Sequence, residues 1–237
     1  MSDSASDAIP SPTTFEVILD ERIIPIPAER RSINSIRCYL EILAMEQQRI
    51  LITFAVDGEP ANSARADGEK FSVTRISAET VDLKDLPVHL LETSLQQTAG
   101  ARAQVEQAVS LVLINDRHLA RELWWNLTRK LKEPLLTLSL VPETIFRPNE
   151  AGGASPLQLR RWQLQQLAVI IKEVDAACWV ADPLALSNAL ETRVLPWLES
   201  LEELISLWHC TVLAGVRAGR PLTLASAAHQ SDRPQGR

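Results

Sequence analysis

The chain has 237 residues, 46% of them hydrophobic, enough for one large domain or two small ones around a buried core. Lys and Arg number 24 against 30 for Asp and Glu, and a net charge of -6 does not gather phosphate backbones, so nucleic acid is not an expected partner. No run of about 18 uninterrupted apolar residues occurs, and the start MSDSASDAIPSP is polar and acidic; membrane insertion is not expected and a cytoplasmic location is.

Residues 1–13 are rich in Ser, Asp and Pro and read as a disordered leader. FEVILD (15–20) alternates apolar and polar residues, RIIPIP (22–27) is a second apolar run, and the polar DER at their junction closes a hairpin. Pro25 and Pro27 demote the second run to a sheet edge. A helix follows, capped by Ser32, with Ile33, Ile36, Leu40, Leu43 and Ala44 on one stripe. RILITFAV (49–56) returns to strand period, placing Ile50, Ile52, Phe54 and Val56 on one face before an Asp57-Gly58 turn. After the polar loop EPANSARADGEK, FSVTRI (71–76) and ETVDL (79–83) complete the sheet. A hairpin, a crossing helix and further strands in residues 14–83 resemble the ββαββ plan of ubiquitin-like β-grasp domains. The resemblance lies in element order alone, without a family motif and without a terminal Gly-Gly for conjugation.

From Asp85 the chain turns helical. PVHLLETSLQQ (87–97) opens a helix that Ala99-Gly100 is expected to break, and residues 101–132 form a long periodic segment ended before Pro134. Asp116 falls on the apolar face of that segment unless the helix breaks at Asn115-Asp116, and a break with Asp116 capping the second half is expected. LLTLSLVP (135–142) fits either a strand or a short helix. Ser155, Pro156 and Gln158 make a capping box with proline at the first helical position, and Asp182-Pro183 repeats that start signal. Pro196 predicts a kink or break before Trp197, and residues 219–237 read as a flexible tail. The whole is an α+β protein: a small β-grasp-like domain (14–84) followed by an antiparallel α-helical bundle (85–218).

Trp124 and Trp125 cannot both face the core, because adjacent helical positions point about 100° apart. Ala120, Leu123, Leu127 and Leu131, with Val105, Val109, Val112 and Leu113 upstream, put Trp124 inside; Trp125 then points outward among Arg121, Thr128, Arg129 and Lys132. In the next long helix Leu164, Leu167, Ile171, Val174 and Cys178 form a ridge, with Trp162 and Val169 on the other side. In the last, Leu190, Val194, Trp197, Leu201, Leu204 and Trp208 share one stripe. The outward tryptophans are either covered by a second packing layer or serve as contact anchors, since Trp and Arg dominate binding energy at interfaces. The candidate protein-contact residues are Ile114, His118, Arg121, Trp125 and Trp162.

Chemistry-bearing patterns are few. The four histidines include no H-x₃-H or H-E-x-x-H pair, so no metal site is expected. His209-Cys210 are helical neighbours whose side chains diverge, and the AGGAS loop lacks the Lys of a phosphate-binding loop. No cofactor is expected. Cys38, Cys178 and Cys210 are odd in number and set among apolar neighbours, which predicts reduced, buried thiols. These observations favour a non-catalytic adaptor, chaperone-like or assembly factor that binds a protein, through self- or hetero-association. The alternative is an enzyme with its site in a groove between the two domains.

Overall fold

The computed structural model describes residues 16–27, 32–61, 75–114, 117–142, 156–180 and 183–217. The expected leader 1–13, the tail 219–237, the cap residues Asp116, Ser155 and Asp182, and the FSVT part of the third apolar run lie outside the described residues. The chain divides into two compact units after Leu86.

The first unit holds strands β1 (Glu16–Leu19) and β2 (Arg22–Ile23), helix α1 (Ile33–Glu46), and strands β3 (Arg49–Val56), β4 (Glu59–Pro60) and β5 (Arg75–Asp82). The sheet order is β2-β1-β5-β3-β4, with β1 parallel to β5 and the other neighbours antiparallel. The element order is strand, strand, helix and three strands, one more strand than the expected ββαββ plan, and the last strand lies in the middle of this β-grasp-like sheet. The runs FSVTRI and ETVDL, expected as two strands, contribute to one strand, β5.

Between β1 and β2, Asp20 and Glu21 both have positive φ (48° and 64°), the geometry of a two-residue hairpin turn whose twist matches its strands. Neither residue is glycine, and a polar clamp holds the turn: Thr80 donates to Asp20 from its N–H at 2.7 Å and from Oγ1 at 2.6 Å. Arg49 spans the same group, with Nη1 2.8 Å from Asp82 Oδ1 and Nη2 3.3 Å from Asp20 Oδ2. Prolines 25 and 27 follow β2, which ends at Ile23 on the sheet edge as a residue without a ladder donor requires.

A reciprocal capping box between Ser32 and Ser35 starts α1, and Ile36, Leu40 and Ala44 are its buried stripe. The core joins Ile36 and Leu40 to Val17, Leu19, Ile76 and Ala78, with Leu51, Phe54 and Val56 packed against it. The simple alternation expected for β3 is thus corrected. Its pairing with β5 slips between Leu51 and Thr53, and the extra residue, Ile52, shifts the side-chain phase so that Leu51 faces the core before it and Phe54 after it.

The second unit contains α2 (Leu86–Leu113), α3 (Arg117–Lys130), α4 (Glu133–Ser139), α5 (Pro156–Trp179), α6 (Pro183–Ala189) and α7 (Leu195–Arg217). The expected break at Ala99-Gly100 does not occur. Thr98, Ala101 and Val105 are buried on either side of the exposed Gly100, so packing carries the helix across a weak residue. α2 ends at Leu113 and α3 begins at Arg117, and the expected upstream stripe is corrected: Val105, Ala108 and Val112 are buried, Val109 is half-buried and Leu113 is exposed. The 135–142 run resolves as a helix, α4, with Pro134 in its first turn.

α2 and α7 run antiparallel. Arg102 on α2 reaches Glu199 at 3.0 Å and Glu202 at 3.5 Å, whereas Glu92, nearer the start of α2, lies 3.4 Å from His209, nearer the end of α7. That last contact is close enough for an ion pair with a protonated imidazole but is not aligned as a hydrogen bond. Pro196 does not break the chain. A π-helical turn, Leu190–Val194, joins α6 to α7, and Leu195 N–H donates to Leu190 O five residues back, widening the register just ahead of the proline ring. Leu190, Val194, Trp197, Leu198, Leu201, Ile205, Trp208 and Val212 are buried, while Leu204 is half-buried. No helix among the described residues is long and apolar enough to cross a membrane.

Candidate protein-contact surface

Ala120, Trp124, Leu127 and Leu131 recur at three- and four-residue steps, and all four are 0% exposed, which fixes which side of α3 faces inward. A buried indole N–H needs an acceptor. Trp124 Nε1 finds one in α5, donating to Asp175 Oδ1 at 2.8 Å. One residue further, the helical rotation turns Trp125 to solvent, where it is 60% exposed.

His118, also exposed, and the half-buried Arg121 lie on α3 with Trp125. Ile114 is exposed too, but it lies just past the end of α2 and outside α3, so it does not share the helical phase of His118, Arg121 and Trp125. Trp162, 48% exposed, belongs to α5. Helical rise puts it about 20 Å along the axis from Asp175 and on roughly the opposite side of the cylinder. Trp162 therefore does not share a surface with Trp125.

The ridge of α5 is also corrected. Its buried positions are Gln163, Leu167, Ile170, Val174 and Cys178, whereas Leu164 is exposed and Ile171 half-buried. Gln163 Oε1 is buried without a hydrogen-bond partner, an unusual occupant of an apolar ridge that the leucine spacing concealed.

Cys178 is the one thiol buried as expected; Cys38 and Cys210 are exposed, because each sits off the stripe that its helix buries. Burial pushes the Cys178 thiol above the ordinary cysteine range, the Asp175 carboxylate pushes it the same way, and the Arg121 guanidinium partly offsets both. These neighbours also set a register. Trp124 donates to Asp175, and the charge of Arg121, three residues earlier, acts on Cys178, three residues later, the pattern of an antiparallel α3 and α5.

That register exposes a residue absent from the expected set. Trp179 ends α5 at 76% exposure, more open than either candidate tryptophan. Helical spacing places it roughly 140° from the buried ridge, at the end of the apolar run AACW that masks this offset.

On its other flank α3 borders an open groove of about 470 Å³ lined by Gln104, Gln107, Leu123, Asn126, Arg129, Lys130 and Glu133. His118 and Arg121 do not line it. Among the described residues no group of three or more His, Cys, Asp or Glu side chains could hold a metal ion. No protein-family model, curated protein or solved structure matches the chain.

Proposed function

We propose that the chain is a non-catalytic protein-interaction module, an adaptor, chaperone-like or assembly factor, that binds a protein through the outer faces of its helices. The contact residues are Ile114, His118, Arg121 and Trp125, with Trp162 on a separate face. A cytoplasmic location goes with this reading. The observation that carries it is the tryptophan doublet: Trp124 is wholly buried and hydrogen-bonded while Trp125 stands 60% exposed beside it. A large aromatic side chain held in water on a rigid helix supplies contact area at little cost in ordering, which is why such residues anchor interfaces.

The test is affinity recovery with the full chain, wild type beside Trp125→Ala and Trp162→Ala, and sedimentation at several concentrations to separate self-association from a different partner. A companion, or the self-associated species, lost selectively with Trp125→Ala is the expected result. Identical companions and identical size for all three proteins would remove the reading.

A further inference from the structure

We infer that the groove between α2 and α3 is a binding site for the carboxyl-terminal end of an extended polypeptide. The inference rests on the protein-interaction reading for the kind of partner, a protein, and places a separate contact on a different flank of α3 from Trp125. α2 ends at Leu113 and α3 begins at Arg117, and the chain beyond α3 stays beside α2: Ser94 Oγ donates to Pro134 O at 3.3 Å and Thr137 Oγ1 to Gln97 Oε1 at 3.0 Å. The two helices therefore run antiparallel, with Gln107 about level with Leu123 and Gln104 about level with Asn126. Helical rise puts Lys130 about 10 Å along the axis from Leu123, and Glu133 opens α4 just beyond. The groove, about 470 Å³, is thus elongated, with amides along its length and charges gathered at one end.

Those charges are held apart. Arg129 and Glu133 stand four residues apart, the spacing at which Arg37 pairs with Glu41 at 2.9 Å and Arg102 with Glu106 at 3.3 Å. Arg129 and Glu133 line one groove without pairing, since α3 stops at Lys130 and the chain turns before α4 starts at Glu133. Among the described residues, neither they nor the side chains of Lys130, Gln104, Gln107 and Asn126 have a hydrogen bond or ion pair to the protein. Two cations against one carboxylate leave a single positive charge in excess, in a chain whose net charge is -6. One carboxylate matches that excess, whereas an acidic run or a phosphate backbone overfills it and meets both Glu133 and the negative field of the chain. An amide side chain both donates and accepts, as the N–H and C=O groups of an extended backbone require. Leu123, half-buried, offers one apolar contact. At about 3.3 Å per residue, the groove takes about the last three residues of a chain, with the terminal carboxylate between Arg129 and Lys130.

The test is fluorescence anisotropy of the peptide Gly-Ser-Gly-Ala-Leu-Ala-Leu, labelled with fluorescein at its amino end, against the full-length protein. The same peptide as a carboxyl-terminal amide and free acetate as competitor are the comparators. The free acid is expected to bind at least about tenfold more tightly than the amide, and Arg129→Gln/Lys130→Gln to abolish that difference. Asn126→Leu should weaken both peptides about fivefold or more while keeping the preference for the free acid, and Trp125→Ala should leave both unchanged. Unchanged circular dichroism and urea midpoints of these surface variants exclude unfolding as the cause. Equal binding of acid and amide, no binding at millimolar protein, indifference to Arg129→Gln/Lys130→Gln, or acetate competing as well as unlabelled peptide overturns the inference. A companion recovered from cells and lost with Trp125→Ala, alongside equal binding of the two peptides, would sink the groove while leaving the interaction reading standing.

Discussion

Between Trp124 and Trp125 lie one peptide bond and one helical step, yet the two side chains have opposite fates. Trp124→Ala removes a fully buried side chain and strands the carboxylate that accepted its N–H, and should cost about 3–5 kcal/mol. Trp125→Ala should stay within about 0.5 kcal/mol. Urea unfolding of the two variants measures the difference, and equal losses would contradict the assigned phase of α3. The cysteines divide in the same manner. Because burial and Asp175 hold the Cys178 thiol in its protonated form past the usual pH, alkylation of the native protein near pH 8 should label Cys38 and Cys210 and spare Cys178. Mass spectrometry of the labelled peptides checks this, with all three labelled only after unfolding. The doublet was legible from spacing alone, since a stripe of four apolar residues fixes a helical phase. Gln163 and Asp175 were not, because a buried polar partner is defined by the helix opposite it, and spacing along one chain does not contain that.

At the level of elements, glycine in α2 gives the sharpest case. Gly100 is exposed within the helix, and a methyl group added there meets nothing within 4 Å. Gly100→Ala should therefore raise stability by about 0.4–1 kcal/mol, as backbone freedom is removed from the unfolded chain without a clash in the folded one. A lower urea midpoint for this variant would show that the helix bends at residue 100 after all. Strong periodicity and caps made α1, α5 and the final helix readable. The errors arose where a local signal met tertiary packing: Ala99-Gly100 is bridged by buried neighbours, Pro196 is absorbed by a π-turn upstream, and the bulge at Ile52 rotates half of β3.

For the whole molecule, each unit has its own buried cluster, and the chain passes between them at the start of α2. Fragments 1–85 and 86–237, prepared separately, should each show a cooperative thermal transition by circular dichroism. A fragment lacking such a transition would mean that its core depends on the other. The order of the elements along the chain and the β-grasp plan followed from alternating and helical patterns. The central place of β5 did not, because pairing partners some 60 residues apart leave no mark in local spacing.

That central place has a temporal side. The clamp joining Asp20 to Thr80 spans 60 positions, and β1 finds its parallel neighbour only in β5, the last strand to leave the ribosome. Until Asp82 has emerged, the opening hairpin and β3 have no strand to join them, so a nascent or truncated chain ending short of that point leaves α1 resting on β3 without Ile76 and Ala78 and exposes part of its apolar side to whatever chaperones or aggregating neighbours are at hand.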